Sequence, residues 1–238
     1  MSITPESVRA AATDLADAPP AEIMQWAVGR YGPRVALTCS FSGPGVVLAH
    51  LLSRLAPQTP VIFLDTDYHF PETLAFKDAF AARYGLHLVN LHPLLTVDQQ
   101  ADQFGERLYE RDPDQCCQIR KVQPLLRATA NLDAWITGLR QDQSETRAQA
   151  DVLEYHVSPG GQPLVKVLPL AHWSRKDVWT YIREQGIAYH PLLDQGYKSI
   201  GCWPCTRPVD ADAPERAGRW AGTGKTECGL HTFTRREG

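Results

Sequence analysis

Five apolar runs set the rhythm of the chain up to residue 170. They are residues 34–41 (RVALTCSF), 60–66 (PVIFLDT), 86–92 (LHLVNLH), 133–139 (DAWITGL) and 164–170 (LVKVLPL). Each is rich in Val, Ile, Leu or Thr and nearly free of charge, the pattern of strands buried on both faces. The segments GPGVVLAHLLSRLA and PETLAFKDAFAARYG carry apolar residues at helical spacing. Pro71 suits a first helical position and Gly85 a stop. In SRKDVWTYIREQG, Ser174 and Asp177 have capping-box spacing and Gly186 closes the helix. The alternation predicts an α/β fold: an open, mostly parallel sheet with flanking helices and ligand sites at the carboxyl ends of its strands. Residues before 33 read as a helical preface. The pattern stops near residue 200. The chain therefore divides into a main domain, residues 1–205, and a mobile tail or lid, residues 206–238, rich in Gly, Pro, Arg and Thr.

With 43% hydrophobic and 21% charged residues in 238, a buried core is available and global disorder is not indicated. The formal net charge of −3 argues against bulk binding to nucleic acid or a membrane surface. The start of the chain has no basic segment followed by an apolar run, and no window approaches about 18 uninterrupted apolar residues. A cytoplasmic protein is expected. In that compartment six cysteines read as metal or redox chemistry sooner than as disulfides.

Four of the six fall in two pairs, Cys116–Cys117 in DQCCQIRK and Cys202–Cys205 in GCWPC. Adjacent cysteines on a straight helix diverge by about 100°, and on a strand they oppose each other. Both can reach one centre from a kinked element or a helix end. Four thiolates suit tetrahedral zinc or an iron–sulfur cluster, and the adjacent pair favours the bulkier cluster. A thioredoxin-type CxxC would leave Cys116 and Cys117 unexplained. Cys39 lies in a strand pattern and reads as a small buried hydrophobe. That leaves Cys228, in GKTECGLHTF. Arg216, Arg219 and Lys225 precede it and His231, Arg235 and Arg236 follow. Cations lower a thiol's pKa, so Cys228 is a candidate nucleophile.

Two strand-to-helix junctions supply candidate anion contacts. Ser40, Ser42 and Gly43 in SFSGPGVV offer hydroxyls and backbone N–H groups at a helix start. GLRQDQSETR adds Arg140, Gln143, Ser144 and Arg147 after another strand. Asp65 and Thr66, in LDTDYHFPET, end a third strand and suit a ribose contact or a helix cap.

These stretches resemble the phosphoadenylyl-sulfate and adenylyl-sulfate reductases, specifically the iron–sulfur branch that uses adenylyl sulfate. The resemblance runs in order through SFSG, LDT…PET, CCQIRK, GLRQDQSETR, VLPLAHWS…DVWTYI, GYKSIGCWPCTRPV, ERAGRW and ECGLH. It implies a PP-loop-like, adenine-nucleotide α-hydrolase fold with Rossmann-like layering. It implies one 4Fe–4S cluster per chain on Cys116, Cys117, Cys202 and Cys205, with Cys228 as the nucleophile. Lys121, Arg216 and Arg219 would contact the phosphosulfate, as would Arg140, and His231 would tune the thiolate or touch the anion. Adenylyl sulfate would be reduced to sulfite and AMP with thioredoxin as donor, and a homo-oligomer is expected. The loops SFSGPGVV and LDTDYHFPET depart from the commoner family patterns near the expected nucleotide site. A 3′-phosphorylated substrate, or dual specificity, is the alternative. Two other classes compete. A PP-loop ATP pyrophosphatase shares the fold, but its SGGxDS loop is not matched here. A zinc-binding interaction module leaves Cys228 and the arginines without a role.

Overall fold

The computed structural model describes residues 3–231 and 234–236. Helices α1 (Pro5–Asp14) and α2 (Pro20–Tyr31) form the preface. Strands and helices then alternate: β1 (Val35–Thr38), α3 (Gly43–Leu55), β2 (Val61–Leu64), α4 (Pro71–Tyr84) and β3 (Leu88–Leu91). Four short helices follow: α5 (Val97–Phe104), α6 (Leu108–Arg111), α7 (Pro113–Cys117) and α8 (Gln123–Thr129). A π-helical turn, Gln118–Val122, joins the last two. Next come β4 (Ala134–Thr137), the hairpin β5 (Leu153–Val157) and β6 (Pro163–Val167), and α9 (Arg175–Glu184). The strand β7 (Arg235–Arg236) ends the described chain.

The sheet order is β3-β2-β1-β4-β6-β5-β7. The first five of these strands run parallel, and β5 and β7 are antiparallel additions at one edge. This is the open, mostly parallel sheet expected from the alternation. Its core is made by the apolar runs themselves: Val35, Leu37, Val61, Phe63, Ala134, Ile136, Val165 and Val167 are all almost fully buried. Pro71 opens α4 and Gly85, with φ of 59°, closes it. Ser174 accepts from the Asp177 N–H while the Asp177 carboxylate accepts from the Ser174 N–H, a reciprocal cap of about 1 kcal/mol.

Two strands differ from the sequence reading. β3 is not buried on both faces, because it lies at the edge of the sheet. β5 was not among the predicted runs, since Glu154 and His156 interrupt its apolar character. Both are nonetheless buried. Glu154 accepts from His156 Nε2 at 2.9 Å and pairs with Lys166 at 3.6 Å and Arg236 at 3.1 Å. His156 Nδ1 lies 2.7 Å from Thr234 Oγ1. The partners come from β6 and from the end of the chain, so no local window reveals them.

The chain turns outward from β1 to β2 on one side and places β4 on the other. This reversal opens a crevice at the carboxyl ends of β1 and β4, where open α/β sheets bind ligands.

Candidate active site

The crevice is one continuous cavity, and most of the predicted site residues line it. Its floor is the β1–α3 junction. Phe41 sits there with φ of 54°, a left-handed conformation that costs a bulky residue about 1–3 kcal/mol. Complete burial against Phe63 and Phe80 offsets the strain. The kink sets Ser40 and Ser42 at the cavity wall, their hydroxyls 3.1 Å apart. Ser42 is the N-cap of α3, but its side chain makes no capping bond. Gly43 begins the helix beside it, so first-turn N–H groups remain to meet an anion. Cys39 is buried against this loop and accepts from the Phe41 N–H, and burial pushes its thiol up to about 12. It is a packing residue.

Residues late in the chain also line the cavity. Cys228, half-buried, lines it with Leu230 and His231. Burial pushes the Cys228 thiol up, but Lys121, the Leu230 N–H and Arg219 together bring it below its ordinary value. His231 stacks on Trp135, ring centroids 5.6 Å apart and planes within 7°. Burial, together with Lys166, Arg147, Arg216 and His156, holds its imidazole well below the usual range, so it is neutral at pH 7.

Lys121, Arg216 and Arg219 also face the cavity. Lys121 is buried, yet its ammonium is held above the ordinary lysine range. Burial opposes the charge, and Cys202, Cys228 and Cys117 outweigh it. Arg219 lies over the Trp220 ring at 4.5 Å and passes directly above Gly201, where a Cβ would collide with its guanidinium. Arg140 is 1% exposed and lines the cavity, donating through Nε to Asp142 and through Nη2 to Glu215, each at 2.9 Å. It fastens the segment that carries Arg216. Thr66 lines the cavity, but its hydroxyl lies 3.3 Å from Cys202 Sγ. Asp65 is not among the lining residues. Its carboxylate accepts from the Asp67 N–H at 3.1 Å, and it groups with Asp67 and His92 on the outside.

Behind Lys121 lie the four paired cysteines. Cys116 and Cys117 are the last residues of α7, and the helix widens into the π turn immediately after them. The adjacent pair thus occupies both a helix end and a kink, which lets both thiols serve one place. Cys202 and Cys205 bracket a tight 3-10 turn tied to β2's loop by the Trp203 N–H to Tyr68 carbonyl bond. The four thiols and Lys121 line a common small pocket. Burial, then the charges of Cys117, Cys202 and Cys205, push Cys116 up to about 12. Burial also pushes Cys117 up to about 11. Two thiols held up in this way ionise together only around a cationic centre. Two buried donors on the same pocket, Arg120 Nη2 and Trp220 Nε1, have no hydrogen-bond partner among the described residues. They fit a centre that itself accepts hydrogen bonds, as inorganic sulfide does.

Four cysteine sulfurs on one pocket could hold either tetrahedral zinc or an iron–sulfur cluster.

Comparison with known proteins agrees with this architecture. Residues 34–208 match the phosphoadenosine phosphosulfate reductase domain. The chain belongs to that reductase family. An adenosine 5'-phosphosulfate reductase of Streptomyces coelicolor is 48% identical over 93% of this chain and 92% of its own. A phosphoadenosine 5'-phosphosulfate reductase of Gloeobacter violaceus is 46% identical over 90% of this chain and 89% of its own. The crystal structure of phosphoadenylyl-sulfate reductase from Candida auris superimposes with a TM-score of 0.74 at 30% identity, covering 88% of this chain and 99% of that one.

Beyond the residues singled out from the sequence of this reductase, the structure adds several to the site. Arg120, beside Lys121, lines the cysteine pocket as well, and donates to Gln100 at 2.8 Å and Asp67 at 2.7 Å. Trp220 is held against the CxxC turn by its backbone N–H, which donates to the Cys205 carbonyl. Lys225 pairs with Asp114 on α7, tying the tail to the helix of the adjacent cysteines. Glu227 is clamped by Arg147 and Arg216. Composition marks Lys225 and the arginines as a basic cluster. Their carboxylate partners lie up to 111 residues away and carry no local signal.

Proposed function

We propose that this chain reduces adenylyl sulfate to sulfite and AMP, drawing two electrons from a thioredoxin-type dithiol. The observation that carries the reading is Cys228: a thiol with a lowered pKa, in a cavity that Lys121, Arg216, Arg219 and the N-terminus of α3 also line. In the first step the Cys228 thiolate attacks the substrate's sulfur. The sulfur–oxygen bond to the phosphate breaks and its electron pair leaves with AMP. Lys121 and Arg219 favour the thiolate beforehand. With Arg216 and the N–H groups at Ser42 and Gly43, they neutralise charge on the phosphosulfate and on the leaving phosphate. Neutral His231 offers its buried Nδ1 without adding charge. In the second step a donor thiolate attacks the Cys228 sulfur and sulfite departs. The donor's other thiol then resolves the mixed disulfide, releasing the Cys228 thiol and an oxidised donor.

Cys116, Cys117, Cys202 and Cys205 would hold the 4Fe–4S cluster. When bound, it would keep the four thiolates ionised and cross-link α7 to the CxxC turn, and their negative charge would hold the Lys121 ammonium protonated beside the cavity. Lys121 borders the cysteine pocket and the substrate cavity alike, so it transmits the electrostatics of one to the other.

The test is sulfite release from adenylyl sulfate with a reduced thioredoxin as donor, against the 3′-phosphorylated substrate. Turnover of adenylyl sulfate with the higher kcat/KM is expected. Lys121→Ala should lower kcat/KM by about 10²-fold or more, the loss expected for one charge-stabilising donor. Preference for the 3′-phosphorylated substrate would move the chain to the activity named for its Gloeobacter relative. An unchanged rate in Lys121→Ala would return that lysine to a structural role.

A further inference from the structure

Glu227 directly precedes the nucleophile, and neither step of the reaction uses its carboxylate. Yet that carboxylate is held by four side chains. Arg147 grips it in bidentate fashion, Nε to Oε1 at 3.0 Å and Nη2 to Oε2 at 2.7 Å. Arg216 Nη2 donates to Oε2 at 3.1 Å. The hydroxyls of Ser144 and Thr146 lie 3.5 and 3.4 Å from Oε1. Burial alone would raise the Glu227 pKa, but Arg147, Arg216 and Thr146 bring it below the usual carboxylate range, so the group is ionised.

The clamp is unlike the ion pair made two residues earlier. Lys225 meets Asp114, whose side chain is 83% exposed, and such pairs contribute little. Arg147 is 9% exposed and Glu227 18%, and bidentate guanidinium–carboxylate contacts are strong and directional. Arg147 stands in the 3-10 turn Glu145–Arg147, on the loop that leaves β4 at the cavity rim. It therefore fixes residue 227 to the rigid sheet edge, and residue 228 follows it into the cavity. Immediately beyond, the chain bends at Gly229, with φ of 82°.

We propose that Glu227 is the positioning residue of Cys228: the Arg147–Arg216 clamp on its carboxylate seats the thiol in the cavity, and releasing that clamp presents the thiol to the protein donor. The catalytic consequence rests on the function proposed above. The seating does not, and it can be measured without substrate. Arg216 gives the device its coupling, because it both grips Glu227 and lines the cavity where the anion arrives.

The test is the rate at which a bulky maleimide labels Cys228 in the full-length protein, purified anaerobically and checked for unchanged iron content, with peptide mapping to assign the label. Glu227→Gln should label at Cys228 at least tenfold faster than wild type. Glu227→Asp, which keeps the charge, should fall between them. Arg147→Gln should reproduce the increase, and the double variant should add nothing, since both remove one contact. With adenylyl sulfate, Glu227→Gln should form its sulfonate more slowly at saturating substrate. Unchanged labelling in both single variants would overturn the proposal. Faster sulfonation by Glu227→Gln would also overturn it, by making the clamp a brake. Faster labelling together with no sulfonate even in the wild type would leave the seating standing and remove the proposed reaction.

Discussion

Cys228→Ser should abolish sulfite release while leaving the fold, the iron content and nucleotide binding in place. The side chain is half-buried at the end of the chain, and a hydroxyl fills nearly the same space. What changes is chemistry. The cations around residue 228 lower a thiol's pKa, but a serine hydroxyl starts too high for them to ionise it. A neutral hydroxyl is a far weaker nucleophile than a thiolate. The expected loss in kcat is on the order of 10⁴-fold or more, the scale seen when a covalent nucleophile is removed. Steady-state sulfite assays check the rate, and iron content with circular dichroism checks the rest. Turnover within tenfold of wild type would remove Cys228 from the mechanism.

Cys202→Ser has the second large effect, on a different observable. Cys202 is 7% exposed, with Thr66 at its sulfur and the other three thiols on the same pocket. Losing one ligand of four should release iron and inorganic sulfide, turning a brown protein colourless. Because ligand binding is coupled to folding, the α7–π–α8 stretch and the CxxC turn should loosen as well. Lys121 sits within that stretch, so activity is lost too. Iron and sulfide analysis of anaerobically purified protein, with hydrogen exchange over residues 113–129, measures both. Full iron and sulfide retention in Cys202→Ser would remove Cys202 from the ligand set, and zinc in place of iron would replace the cluster.

The parallel core was legible because its strands are continuous apolar runs, a signal that survives without any knowledge of partners. The caps at Pro71, Gly85, Ser174 and Asp177 were legible because capping is local. The adjacent cysteines even predicted their own backbone, since only a kink or helix end lets both serve one centre, and Cys116–Cys117 sit where α7 meets the π turn. What escaped depends on contacts between distant segments. β5 reads as polar until Lys166, Thr234 and Arg236 bury Glu154 and His156. Arg140 reads as a ligand for an anion and does line the cavity, but its pairs with Asp142 and Glu215 could not be seen in the sequence. Glu227 carries no signal in the sequence, because its clamp comes from Arg147, 80 residues earlier.

The central claim is that the thiol of Cys228 takes the sulfonate directly from the nucleotide. It is tested by incubating the wild-type protein with adenylyl sulfate and no reductant, then measuring intact mass and mapping the modified peptide. The account predicts one sulfonate group per chain, on Cys228, released as sulfite when reduced thioredoxin is added. A sulfonate on Cys39, or AMP release with no adduct on any cysteine, would contradict it.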